Sequence, residues 1–182
     1  MRRGALAALA LLSACHRQPA PDSASQPPVV AERYDAFFLW PGVKPPASAT
    51  PRLLYLLDGE VRRRGPPGFV RLRPGTPHLP QADLWLVVRT DTLDWTPATT
   101  AAILADLARW QAAGDRLNGL QVDFDASTHG LGTYRRFLEN LRALLPRPMK
   151  LSITGLMDWS AHGDPQELAR LSGLVDEVVV QT

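Results

Sequence analysis

Gln121, Asp123 and Asp125 occupy alternate positions in Asn118-Gly119-Leu120-Gln121-Val122-Asp123-Phe124-Asp125. Side chains two apart in an extended strand share a face, so these three point one way and Leu120, Val122 and Phe124 the other. Two carboxylates at that spacing lie roughly 6–7 Å apart along the strand. Close carboxylates can raise one another's pKa, which is how a carboxylic acid becomes a proton donor at neutral pH. Two acids on an otherwise apolar strand are costly unless they are used or paired. The pair therefore reads as catalytic, with Asp125 as the acid and Asp123 as its electrostatic partner. The competing reading is a buried polar network that braces the core.

Other residues at strand ends could join them. Trp40, Asp58, Arg89, Trp159 and Gln181 each follow or end an apolar run and, with Gln121, form the candidate substrate-binding set. Carboxylates beside indole platforms suit a sugar, whose CH faces stack on aromatic rings. Each residue also has a simpler reading. Trp40 and Trp159 could be rim or core packing, since aromatics dominate buried area. Asp58 precedes Gly59, as a turn aspartate does. Arg89 could pair with a neighbouring acid. His129 beside Gly130 reads as a loop residue. No metal-ligand spacing, phosphate loop or nucleophile elbow is present, so no metal or cofactor is expected.

The elements that must position these residues alternate. Apolar runs recur at Tyr34 to Trp40, Leu53 to Leu57, Leu84 to Val88, Leu120 to Phe124, Lys150 to Thr154 and Val178 to Val180. Near-continuous apolar runs of this length, rich in β-branched and aromatic residues, are strands buried on both faces. A further short strand is expected at Phe69 to Leu72. Thr96-Pro97 caps a helix that stops before Gly114, with Ile103, Leu107 and Trp110 on one stripe. A second helix runs from Thr133 to Leu145 and ends at Pro146. A third starts at Asp164-Pro165-Gln166-Glu167 and stops at Gly173. Strand–helix alternation predicts parallel strands with right-handed crossovers. The predicted fold is α/β: a partial (β/α)8 TIM-barrel-like fold with about six strands present and the C-terminal strands missing. A complete barrel takes about 250 residues, so the chain reads as a fragment of a longer one.

The N-terminus reads as an address. Arg2 and Arg3 precede the apolar run Ala5 to Leu12, a signal-peptide pattern too short to span a bilayer. Leu12-Ser13-Ala14-Cys15 resembles the bacterial lipobox, which implies cleavage before Cys15 and its lipidation. By the same resemblance, His16 after the cysteine favours the periplasmic face of the outer membrane in a diderm host. Residues 1–14 are thus the expected lipoprotein signal peptide, 15–33 the lipidated cysteine with a Pro/Ser-rich tether, and 34–182 the incomplete barrel domain. The formal charge of +2 belongs to the leader: removing residues 1–14 takes Arg2 and Arg3 and leaves 18 basic against 18 acidic residues. No basic surface argues for nucleic acid. The expected partners are the membrane, through Cys15, and a polysaccharide. One cysteine excludes an internal disulfide framework.

The strand-four segment resembles two families. Family 18 glycoside hydrolases, the chitinase-like barrels, carry D-G-x-D-x-D-x-E there. Laid on that pattern, Asn118 falls at the first Asp, Gly119 at the Gly, Gln121 at the second Asp, Asp123 at the third and Asp125 at the acid Glu. The match is closer to the bacterial domain of unknown function family 3142 (DUF3142), whose L-Q-x-D-F-D-A segment resembles Leu120 to Ala126, LQVDFDA. Leu56 to Val61, Leu151 to Thr154 and the terminal Val-Val-Gln also resemble that family. The resemblance implies a glycosidase-like barrel in the cell envelope that hydrolyses or binds polysaccharide. The alternative is a non-catalytic carbohydrate-binding or envelope-interaction lipoprotein, which the Glu-to-Asp difference at Asp125 favours.

Overall fold

In a computed structural model, residues 30–181 are described. Seven strands follow in chain order: β1 (Ala36–Leu39), β2 (Leu53–Val61), β3 (Phe69–Arg71), β4 (Asp83–Thr90), β5 (Arg116–Asp123), β6 (Lys150–Leu156) and β7 (Glu177–Gln181). The helices are α1 (Pro97–Ala112), α2 (Leu131–Leu144), the single turn α3 (Trp159–His162) and α4 (Pro165–Ser172). The leader, Cys15 and the tether as far as residue 29 lie outside the described residues. The last tether residues, Ala31–Arg33, form one 3-10 turn that the sequence pattern does not reveal.

The helix ends follow their chemistry. The Thr96 hydroxyl accepts from the Thr99 N–H at 3.1 Å at the start of α1, and Gly114 beyond its end takes φ +89°, the left-handed conformation that glycine adopts without penalty. Asp164 accepts from the N–H groups of Gln166 and Glu167 at the start of α4. Each cap satisfies donors that have no partner inside the helix.

Six strands run parallel in the order β1-β2-β4-β5-β6-β7, and β3 pairs antiparallel with β2. The order never reverses. A doubly wound sheet reverses at its switch point, whereas a barrel adds each new strand on the same side, so this is the winding of a partial (β/α) barrel. β1 covers the first half of β2, and β3 takes over along Gly59 to Val61. The sheet is strongly curled. The Tyr55 hydroxyl on β2 donates to Glu177 Oε1 on β7 at 2.7 Å, although three strands lie between.

Both faces of the central strands are buried. Outward, Leu54, Leu56, Leu86, Val88, Leu120, Val122 and Ile153 pack against Ile103, Leu107 and Trp110 of α1 and Leu131, Tyr134 and Leu138 of α2. Inward, Tyr55, Leu57, Trp85 and Val87 form a second, smaller cluster. At roughly 1.5–3 kcal/mol for each large apolar side chain removed from water, the helix-side layer supplies most of the burial. The concave face is left to carry the site.

Candidate functional site

The concave face becomes polar toward the C-terminal ends of the strands. Register pairs Val87 of β4 with Gln121 of β5, and Gln121 with Ser152 of β6. One step higher, Glu60 pairs with Arg89 and Arg89 with Asp123, and the Thr154 hydroxyl of β6 donates to Asp123 Oδ1 at 2.8 Å. A carboxylate, a guanidinium, a carboxylate and a hydroxyl thus cross four adjacent strands in one row. β5 ends at Asp123, so Asp125 lies in the loop beyond it and is exposed.

A cleft of about 350 Å³ opens above this row, lined by Phe38, Trp40, Tyr55, Leu57, Arg89, Asp123, Asp125, Thr154 and Gln181 among others. Its wall toward β1 is aromatic: the Phe38 and Tyr55 rings stack with centroids 4.2 Å apart, and Tyr55 stacks in turn on Trp85 at 6.4 Å. The Tyr55 hydroxyl is pushed well above its ordinary pKa by burial and by the Glu177 carboxylate, so it remains a neutral donor. A second cleft of about 510 Å³ lies beside the first, and both are bordered by Arg89 and Asp125. Its other lining residues include Glu60, Arg62 and Asp91.

Five of the eight predicted site residues meet at the first cleft: Trp40, Arg89, Asp123, Asp125 and Gln181. Gln121 faces the same side but sits beneath Asp123, fully buried, and neither polar atom of its amide finds a hydrogen-bond partner among the described residues. Asp58 does not reach the cleft. The β2–β4 register slips between Leu57 and Gly59, a bulge that leaves Asp58 unpaired in the ladder. Asp58 is buried near Asp106 and Arg109 of α1 and Arg71 of β3, on the helix side. The Asp-Gly pair therefore lies within a strand rather than in a turn. Gly59 is required there because an added Cβ would strike the β3 backbone at Val70 and the Phe69 ring.

Trp159 is also elsewhere. It is buried in the helix-side core, and its indole N–H donates to the Ala126 carbonyl at 2.8 Å. That bond ties the start of α3 to the loop carrying Asp125. Gly155 leaves room for the ring, since a Cβ there would lie 3.3 Å from Trp159 Cζ3. Trp159→Phe keeps most of the packing but leaves the carbonyl unpaired. Its expected cost is about 1–3 kcal/mol, read as a lower urea midpoint with unchanged slope. An unchanged midpoint would show that the indole does not hold the loop.

Tyr134 of α2 lies beneath the same segment. Its hydroxyl donates to the Val122 carbonyl at 3.5 Å, and burial, then the charges of Asp123 and Asp125, push its pKa far up. Glu60, Thr154 and Glu177 were not anticipated from sequence. Glu60 and Glu177 stand where strand ends are hardest to locate, and Thr154 closes a run whose pattern marks a strand but no site. Among the described residues no group of three or more His, Cys, Asp or Glu is placed to hold a metal, and no helix is long and apolar enough to cross a membrane.

Comparison with known proteins adds a family. A family model described as a domain of unknown function (DUF3142) matches residues 85–182. No curated protein matches the chain. Among solved structures, the Bacillus cereus spore cortex-lytic enzyme SleL is similar at 18% identity and a TM-score of 0.48, over 81% of this chain and 40% of that one. The match thus covers 40% of that chain's length.

Proposed function

This chain belongs to the DUF3142 family, and from that premise we propose that it is a glycosidase-like protein of the bacterial cell envelope that binds polysaccharide in the concave cleft and hydrolyses it through Asp123 and Asp125. The observation that carries this reading is the cleft itself. One wall presents Phe38, Trp40 and Tyr55, the other two carboxylates, at the strand ends where barrels of this winding place their chemistry. A sugar seated on the aromatic wall would bring its glycosidic oxygen toward Asp125. Asp125 would donate a proton to that oxygen as the bond breaks. Asp123, oriented by Thr154, would stabilise positive charge developing on the ring.

Cys15 would carry a lipid, with the segment that follows it as tether, placing the cleft at the periplasmic face of the outer membrane in a diderm host. The support for this is the lipobox-like Leu12 to Cys15. Metabolic labelling with an alkyne-bearing fatty acid should mark the full chain and leave a Cys15→Ser variant unmarked.

A second reading, glycan binding without turnover, draws on Asp125. It is one methylene shorter than glutamate, lies in the loop past β5, and accepts no hydrogen bond among the described residues to fix it. Glycan-array binding together with reducing-end release separates the two. Under the enzymatic reading the protein releases reducing ends, and Asp125→Asn lowers the rate by about 100-fold or more while binding survives. Binding with no release by the wild type would establish the second reading. An Asp125→Asn variant that matches the wild type in both assays would remove the site assignment.

A further inference from the structure

Arg89, exposed at the mouth of both clefts, has no carboxylate partner among the described residues. Strand register sets it directly beside Asp123, the arrangement that normally closes an ion pair. It makes none. Among the described residues no carboxylate lies within ion-pair distance of Arg89, and none of its five N–H donors goes to a protein acceptor, whereas Arg62 in the neighbouring cleft is paired with Glu60. The side chain instead leans across the sheet toward β1, where its guanidinium carbon stands 5.5 Å from the centroid of the Trp40 ring. A guanidinium over an aromatic face gains cation–π attraction and a fixed place, while its N–H groups stay free.

The cleft is therefore charge-separated. Asp123 and Asp125 hold the β5 side, and Arg89 on its Trp40 support holds the β1 side, with apolar Leu57 and Val87 in the lining. A neutral sugar would use the aromatic wall and the carboxylates but give the guanidinium nothing it lacks in water. A planar carboxylate matches the guanidinium fork and accepts two parallel hydrogen bonds. Arg89 borders both clefts, and since the second also carries Glu60, Asp91 and Asp125, an acidic group is better placed in the first.

We propose that Arg89, held over Trp40 and apart from Asp123 and Asp125, recognises a carboxylate on the bound glycan, so that the ligand is an acidic oligosaccharide. This rests on the glycan-binding reading above and deepens it. The test uses full-length protein on an array of bacterial glycans, each acidic member printed beside its carboxyl-reduced form, with wild type, Arg89→Lys and Arg89→Gln. The wild type should prefer acidic members to their reduced forms by about tenfold or more, the range of a hydrogen bond to a charged group. The preference should shrink in Arg89→Lys, which keeps the charge but loses the fork, and vanish in Arg89→Gln. It should also weaken as salt rises. Equal binding of acidic and reduced forms by the wild type, or equal loss of both in Arg89→Gln, overturns the inference and leaves the glycan reading intact. Binding to no glycan overturns both.

Discussion

Gly119→Ala should cost more than about 4 kcal/mol or prevent folding outright, the range reserved for backbone collisions and large core defects. Gly119 sits inside β5, buried, opposite Lys150 at the start of β6. A Cβ there would fall on the Lys150 carbonyl oxygen and lie 2.6 Å from the Lys150 nitrogen and 2.7 Å from its carbonyl carbon. These are backbone atoms of a paired strand, with no rotamer through which to yield. Relief would require β5 and β6 to part, and with them the Thr154–Asp123 hydrogen bond. Gly114→Ala is a useful comparison. Nothing lies within 4 Å of its Cβ position, although its φ of +89° strains an L-residue, and about 1–2 kcal/mol is expected there. Urea denaturation of the two variants should separate them by at least about 2 kcal/mol. A Gly119→Ala protein with a midpoint near wild type would mean that β5 and β6 are not paired as described.

This glycine also marks how far sequence could be read. The motif alignment put Gly119 at an expected glycine without saying why one is needed, and the reason is a strand thirty residues away. Apolar runs and helix caps were legible because they are local. Thr96-Pro97 and Asp164-Pro165 begin helices for reasons written within four residues of each. Alternation put Gln121, Asp123 and Asp125 on one side, but it carries no depth, so it could not say that Gln121 is sealed beneath Asp123 while Asp125 passes beyond the strand end. Asp58 was lost to one inserted residue. A bulge displaces a side chain from the face that strict alternation assigns, and Asp-Gly reads as a turn until β3 is seen closing over it. Trp159 lies on a single helical turn, too short for any period. Its partner, the Ala126 carbonyl, is 33 residues back.

The displaced Asp58 should make stability fall as pH rises. Fully buried, its carboxyl is pushed up to about 7. Burial acts first, then the hydrogen bond that the protonated carboxyl shares with Asp106 and the Asp106 charge, against partial relief from Arg109 and Arg71. Asp106 is itself held by Arg71, which donates from Nε at 2.7 Å and from Nη2 at 2.8 Å, and by Arg109 at 3.0 Å. Asp106 thus engages both arginines, which favours the protonated form of Asp58. The half-buried Arg73, whose guanidinium burial pulls its pKa down, adds a weaker attraction to Asp58. In the unfolded chain an aspartate gives up its proton near pH ~3.9. Between about pH 4 and 7 the folded state therefore binds more protons than the unfolded one, and stability declines with rising pH across that window. The full gap corresponds to roughly 4 kcal/mol, an upper figure because the two carboxyls titrate together. Asp58→Asn has nearly the same shape and no charge to lose. It should match the wild type near pH 4, lose the decline, and melt several degrees higher at pH 8. If wild type and Asp58→Asn lose stability in parallel from pH 4 to 8, the proton does not reside on Asp58. The bulge that removed this aspartate from the concave cleft would then hold a charged carboxylate stabilised by its arginines, and replacing it would weaken the contact between β2, β3 and α1.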